Sequence, residues 1–183
     1  MMLGLAMGSS TILFVFILAM LLARKATTGF GALDIPWVFY FSTVLIAVSS
    51  ATLWVARQHF LAERYRQHLN WSGITLVAGL GFMLLQIEGW LSLYRSGQTL
   101  ADSMALAFLY LLSGLHFGHM ALAMGLLFWA VMDSSRNRTY VEGYLQSIDP
   151  AKRTRLLMAY WFWHFTDGLW LLLLMAFVFV LGR

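Results

Sequence analysis

Five long apolar runs constrain the fold of this chain more than any other feature of its sequence. A helix needs about 20 mostly apolar residues to cross the roughly 30 Å of hydrocarbon in a bilayer. The five runs lie roughly at residues 3–23, 35–56, 71–94, 101–132 and 156–182. Lipid offers the backbone no hydrogen-bond partner, and the weak alternation typical of barrel strands is absent, so each run is predicted to be a helix. We therefore predict an all-α membrane protein, a single bundle of five transmembrane helices over residues 1–183.

The composition excludes several other classes of protein. Charged residues make up 11% of the chain, whereas a soluble domain has about 25%. There is no cysteine, so disulfide scaffolds, thiolate metal sites, iron–sulfur ligation and cysteine nucleophiles are excluded. The net charge is only +4 and the basic residues stand between the apolar runs, so we expect no nucleic-acid partner.

The basic residues also predict the orientation in the membrane. Five spans place the two termini on opposite sides, and cytoplasmic loops carry the excess of Lys and Arg. The side with the turn near Phe60 and the loop at residues 133–155 would carry eight basic residues, and the other side four. We therefore predict a cytoplasmic N-terminus and a periplasmic C-terminus. No basic residue precedes the first run, which is longer than a signal-peptide core, so we expect it to remain in the mature chain.

A few polar side chains fall inside the predicted spans, where a central charge costs about 3 kcal/mol by the lower estimates. They are Gln86 and Glu88 in the third span, His116 and His119 in the fourth, and His164 and Asp167 in the fifth. The pairs in the fourth and fifth spans are three residues apart, so each pair shares one face of its helix. If these three spans pack together, we expect the six groups to meet in the bundle interior.

Taken alone, these residues are compatible with three functions. Three histidines and two carboxylates could ligate iron, copper or zinc, and a haem needs only one or two axial histidines. However, ferritin-like sites use Glu-x-x-His, whereas this chain has His-x-x-His and His-x-x-Asp. A second function is a path for protons or ions. The third, which we favour, is a network of interhelical hydrogen bonds, each contributing about 0.6 kcal/mol.

Small and hydroxyl-bearing residues in the spans indicate close helix packing. The hydroxyls of the second span are predicted to bond back to their own helix and to let neighbouring helices approach. They belong to Ser42, Thr43, Ser49, Ser50 and Thr52. Gly114 and Gly118 match the GxxxG pattern, which also favours close packing.

Four motifs, read together, resemble subunit III of the haem–copper oxidases. They are VSSATLWVARQHF at residues 48–60, QIEGW at 86–90, GLHFGHM at 114–120 and WFWHFTDGLW at 161–170. They occur in the order found in the family, although QIEGW has one residue fewer between its Gln and Glu. The likeness covers roughly residues 35–183, and the first span fits by position. Five spans correspond to the short form of the family, as in quinol-oxidase-type subunit III.

The resemblance implies a non-catalytic subunit of a bacterial terminal oxidase in the inner membrane. It implies that this chain holds no haem or copper, because these reside in partner subunits. It also implies that the chain packs beside subunit I, in a complex that includes a subunit II and others, and that it binds phospholipid. The implied polar network comprises Gln86, Glu88, His116, His119, His164 and Asp167. The residues implied to pack against another subunit or lipid are Ser49, Ser50, Gly114, Gly118, Trp163 and Trp170.

The chain also departs from the family pattern. The family usually has a buried glutamate on the helix that aligns with the first span, whereas this chain has Ser9 and Ser10 in that region. Leu157 stands where the family tends to have a second glutamate, and the loop at residues 133–155 is longer than usual. These departures leave open a subunit-III-like chain of a nitric oxide reductase. An alternative of a different class is a small proton or solute transporter that uses the buried His and Asp residues.

Overall fold

Five long helices account for almost all of the residues that the computed structural model describes, which are 2–28, 33–135 and 150–182. The helices are α1 (Met2–Thr28), α2 (Trp37–Leu61), α3 (Tyr65–Arg95), α4 (Met104–Ser135) and α5 (Pro150–Ala176). Each is long and apolar enough to cross a membrane. The prediction of a bundle of five membrane-spanning helices is therefore confirmed, whereas the side of the membrane on which each terminus lies stays a prediction.

Most helix boundaries lie beyond the predicted spans, because backbone hydrogen bonding continues past the last apolar residue of a run, although α2 and α4 begin two and three residues later than predicted. α3 begins at Tyr65 rather than at residue 71, and α5 begins at Pro150 rather than at residue 156. Proline suits the first turn of α5 because an N–H group there has no partner within the helix. The loop predicted at residues 133–155 is therefore too long at both ends, and residues 136–149 lie outside the described part of the chain.

α2 to α5 pack around one another, and α1 lies against the outside of this group. α2 and α3 form an antiparallel hairpin with the most extensive contact in the molecule, α4 packs on α3, and α5 packs on both α2 and α4. α1 contacts mainly α4 and α5. α5 therefore lies between α2 and α4, with a smaller contact to α1, and its large side chains also reach α3.

The connection between α3 and α4 is short because both helix ends are capped locally. Gly97 has a left-handed backbone, with φ of 77°, and the Gln98 N–H donates to the Leu93 carbonyl at 3.0 Å. This Schellman arrangement satisfies carbonyls that the end of α3 leaves unpaired. The hydroxyl of Ser103 accepts from the Leu106 N–H at 3.1 Å and caps the start of α4.

The C-terminal end of α5 continues into a π-helical turn, Phe177–Leu181, that is fastened to the segment following α1. The Lys25 ammonium group donates to the Val180 carbonyl, and the Leu33 N–H donates to the Leu181 carbonyl at 2.7 Å. These two bonds satisfy carbonyls that the helix end would otherwise leave unpaired. They also place the end of α1 and the end of α5 on the same side of the molecule.

Trp170 on α5 lies at the centre of the core. Its indole ring is fully buried and contacts rings from three other helices: Phe39 of α2 at 5.9 Å, Phe82 of α3 at 5.2 Å and His116 of α4 at 5.3 Å between centroids. Tilted and edge-to-face contacts of this kind stabilise by more than the buried area alone. One side chain therefore joins four helices.

Two glycines on α3 let these rings approach the backbone. A Cβ atom on Gly89 would lie 2.7 Å from the Phe39 ring, and one on Gly79 would lie 2.6 Å from the Trp163 ring. Both rings are fully buried, so neither has space to move aside. At Gly73, by contrast, an added Cβ would meet nothing within 4 Å.

We predict that Gly89→Ala lowers the free energy of unfolding by about 1 to 3 kcal/mol, because the methyl group overpacks the contact with Phe39. Gly73→Ala is the matched control on the same helix. It should raise stability by up to about 1 kcal/mol, because alanine favours the helix and the space is open. Unfolding of both variants in mild detergent measures the difference, and equal effects would contradict the packing argument.

Candidate functional site

The hydroxyl groups of α2 form the polar side of the core. Ser42, Thr43, Ser49 and Thr52 each donate to a carbonyl three or four residues earlier on α2, at distances of 2.7 to 2.9 Å. The predicted back-bonding is therefore confirmed for these four residues. Since a hydroxyl has one proton and two lone pairs, each of them is left as an acceptor towards other helices.

Donors from α3 and α5 use these lone pairs. The three bonds run from Gln86 Nε2 to Ser42 at 3.1 Å, from Trp163 Nε1 to Ser49 at 3.3 Å, and from Trp170 Nε1 to Thr43 at 2.9 Å. A fourth contact joins the hydroxyls of Thr52 and Thr75, on α2 and α3, at 2.8 Å. α2 is thus joined to its two main neighbours along most of its length.

The predicted packing of Ser49, Trp163 and Trp170 against another subunit or lipid is corrected by this geometry. All three side chains are fully buried within the chain itself. The indole ring of a tryptophan carries a polar N–H group that needs a hydrogen-bond acceptor. Here the inward-facing hydroxyls of Ser49 and Thr43 accept from Trp163 and Trp170. The indoles therefore point to the interior rather than to the surface.

His119 fastens α1 to α4. Its Nδ1 lies 2.8 Å from the Leu115 carbonyl and its Nε2 lies 2.7 Å from the Ser10 hydroxyl on α1. Because a carbonyl only accepts, Nδ1 of the neutral ring carries the proton and Nε2 accepts from Ser10. Phe14 of α1 packs edge-on against the same ring at 5.5 Å.

His164 and Asp167 lie at the contact between α5 and α2. The Ser50 hydroxyl is 2.7 Å from His164 Nδ1, and the same serine interacts with the Asp167 carboxyl group. Asp167 is 5% exposed. Neither of its oxygens makes a hydrogen bond of normal geometry with any residue that the structure describes.

His116 has a different environment from the other two histidines. Its ring is fully buried, lies edge-on to Phe82 at 5.8 Å, and contacts Trp170. Within the described ranges, neither ring nitrogen has a hydrogen-bond partner. His116 therefore acts as an aromatic packing residue at the centre of the core.

Glu88 lies outside the buried polar group, contrary to the prediction that it joins the others in the interior. It forms an ion pair with Arg95 at 3.0 Å, and its side chain is 49% exposed. Both residues belong to the last turns of α3, where a glutamate and an arginine seven residues apart lie on one face. A partly solvated pair of this kind contributes little to stability.

The six predicted residues therefore do not converge on one point. His119 contacts α1, His164 contacts α2, and His116 contacts α3 and α5. In the described part of the chain, no three His, Asp or Glu side chains come close enough to hold a metal ion. Gly114 and Gly118 face open space, so their packing against a subunit or lipid stays a prediction.

His68 is a buried polar residue that the sequence analysis missed. Its Nδ1 lies 3.0 Å from the Tyr160 hydroxyl of α5 and 3.4 Å from the Ser72 hydroxyl. The predicted third span began after it, because the residues around it are polar. The available signal was helical spacing: from Gln86, the buried face of α3 runs back through Thr75 and Ser72 to His68.

Comparison with known proteins gives one consistent result. A family profile described as cytochrome c oxidase subunit III matches residues 9–182. The chain is 29% identical over 169 residues to the cytochrome c oxidase subunit 3 of Bacillus sp. strain PS3, covering 90% of this chain and 77% of the relative. It is 28% identical to the cytochrome c oxidase subunit 3 of Bacillus subtilis strain 168, with the same two coverages. It is 25% identical to the cytochrome bo(3) ubiquinol oxidase subunit 3 of Pseudomonas aeruginosa, covering 79% of this chain and 64% of the relative.

We predict that Thr43→Val destabilises the chain by about 1 kcal/mol, because the buried Trp170 N–H loses its acceptor without a change in side-chain size. Thr43→Ser keeps the hydroxyl and should retain most of the stability. The measurement is unfolding in detergent, monitored by tryptophan fluorescence. A loss that is equal for both variants would show that packing, rather than the hydrogen bond, is what Thr43 contributes.

Proposed function

Because the chain belongs to the cytochrome c oxidase subunit III family, we propose that it is the non-catalytic subunit III of a bacterial haem–copper terminal oxidase. One observation carries this proposal beyond the family assignment. The hydrogen-bonded polar side chains inside the spans connect one helix to another, as Ser42, Thr43, Ser49, Ser50 and Ser10 do. Groups arranged in this way fix helices in register.

The proposed chemistry takes place in a neighbouring subunit. Haem and copper would be held by the catalytic subunit I, with a subunit II and others in the same complex. Oxygen reduction and proton pumping would occur there, with electrons from cytochrome c or from a quinol. This chain would supply a rigid helical surface beside subunit I, together with binding sites for phospholipid in the bacterial inner membrane.

The rigidity has a physical origin in the low polarity of the membrane. When a buried indole N–H or amide group loses its partner there, neither lipid nor water replaces it, so sliding or rotating a helix breaks several bonds together. Trp170 illustrates this constraint, since rotation of α5 would remove both its bond to Thr43 and its contacts with Phe39 and Phe82. A helix bundle held in one register presents a constant surface to a partner.

Purification of the complex tests this function. We expect a chain tagged at its C-terminus and extracted in mild detergent to bring down a multi-span subunit with haem absorbance. The absorbance should leave with that subunit when this chain is stripped away. A partner set with a copper-bearing subunit II supports the oxidase, whereas one without it, together with nitric oxide turnover, indicates the reductase alternative. A chain that purifies alone, and that moves protons or solutes in liposomes, would contradict the proposal.

The proposed orientation has a cytoplasmic N-terminus and a periplasmic C-terminus, as the count of basic residues predicts. Fusion of a reporter to the C-terminus of the full chain tests it. We expect alkaline phosphatase to be active at that position and green fluorescent protein to be dark, because the latter folds poorly after export through the general secretion route. The opposite pair of results would reverse the orientation of all five helices.

A further inference from the structure

Polar atoms at the contact between α2 and α5 reach the outside of the bundle. Ser50 and His164 are each only partly buried. The bond between them occupies Nδ1 of His164, and Nε2 has no hydrogen-bond partner among the described residues. Asp167, one turn further along α5, is 5% exposed, and its two carboxyl oxygens are buried within the chain beside Ser50. We call the outward side of Ser50 and His164 the polar seam.

The polar seam lies near the middle of the membrane. At 1.5 Å per residue, Ser50 is about 16 to 20 Å from either end of α2 (Trp37–Leu61). His164 and Asp167 are similarly central in the span Arg153–Leu181. Phospholipid headgroups lie at the membrane surfaces, so at this depth the lipid offers only acyl chains.

Acyl chains are a poor cover for the polar seam. An imidazole nitrogen or a carboxyl oxygen without a hydrogen-bond partner costs several kcal/mol when apolar groups surround it. Ionisable residues inside a membrane accordingly face other protein or water rather than lipid. The bond at His119 shows the contrast, because both of its ring nitrogens have partners within this chain.

The residues beside the polar seam allow another helix to come close. Ala47 and Ala51 on α2 are exposed, and so is Gly168 on α5, four residues after His164. A Cβ atom on Gly168 would meet nothing within 4 Å. Small residues on a helix surface let a second backbone approach to the distance at which side-chain hydrogen bonds form.

A second groove on the surface of the bundle differs from the polar seam. The groove between α3 and α4 is lined only by apolar residues and glycine: Gly73, Leu76, Val77, Leu80, Met124, Gly125 and Phe128. Val77 is 72% exposed. An apolar surface of this kind is suited to contact with acyl chains. Residues of this groove therefore serve as control positions for variants in the polar seam.

We propose that the polar seam is the surface on which a transmembrane helix of the catalytic subunit docks. This inference rests on the proposed function. The docking helix would carry a hydroxyl or amide side chain at mid-depth, because such a group can either donate to or accept from His164 Nε2. The small residues Ala47 and Gly168 would contact its backbone. Lipid would cover the groove between α3 and α4.

A matched pair of glycine variants tests the surface. Gly168→Leu places a large side chain in the polar seam, and Gly125→Leu places the same side chain in the groove between α3 and α4. At neither glycine would an added Cβ meet another helix or a side chain beyond its chain neighbours within 4 Å, so both variants should fold. We expect Gly168→Leu to reduce the catalytic subunit recovered with the tagged chain by about tenfold, and Gly125→Leu to leave it unchanged. Equal recovery with both variants would overturn the proposal.

A photo-crosslinking residue, benzoylphenylalanine, provides a second measurement on the intact complex. Placed at Ala47, it should form a crosslink to the catalytic subunit, and at Val77 it should not. Crosslinks from Val77 alone, or from Ala47 only to lipid or to a second copy of this chain, would overturn the docking surface while the catalytic subunit still co-purifies. If the unsubstituted chain recovers no partner at all, both the proposed function and the docking surface are wrong.

Discussion

The hydrogen bonds that α2 hydroxyl groups make in two directions are the interaction on which the rest of the bundle depends. A membrane core provides neither water to satisfy a buried donor nor a strong hydrophobic difference to drive helices together. The hydroxyls of Ser42, Thr43 and Ser49 satisfy buried donors and also join helices, since each donates its proton to a carbonyl of its own helix and accepts a hydrogen bond from a neighbouring helix. The back-bond also fixes the hydroxyl in one rotamer, so the acceptor is in place before the neighbouring helix arrives. Polar groups that would be costly alone thereby become the contacts that set the register of α3 and α5.

Aromatic packing complements these bonds at the same depth. Trp170 donates to Thr43 at one edge while its faces and edges contact Phe39, Phe82 and His116. Such packing needs short distances between helices, and glycine on α3 provides them by leaving space for the rings. The result is a core with little freedom to rearrange, which suits the proposed role of presenting a constant surface to a partner subunit.

Some buried polar groups find their hydrogen-bond partners within the chain, whereas others do not. His119 is satisfied within the chain, through Ser10 and Leu115. His164 is satisfied at one nitrogen only, since its Nε2 has no partner among the described residues. A soluble protein would leave such groups to water. At mid-depth in a membrane, the docking helix proposed above would take the place of that water.

The sequence by itself determined the number of helices and the family. Length and hydropathy predict the number of helices, because lipid permits few other backbone structures. The order of four motifs indicates the family. Sequence spacing also predicted the back-bonding of the α2 hydroxyls, which depends only on local helix geometry. The tertiary structure alone decided which way each side chain faces. Trp163 and Trp170 point inward although aromatic residues often lie at membrane surfaces, Glu88 lies outside the core, and His68 lies within it. A hydropathy window averages over all sides of a helix, whereas the rotation of that helix is set by the neighbours against which it packs.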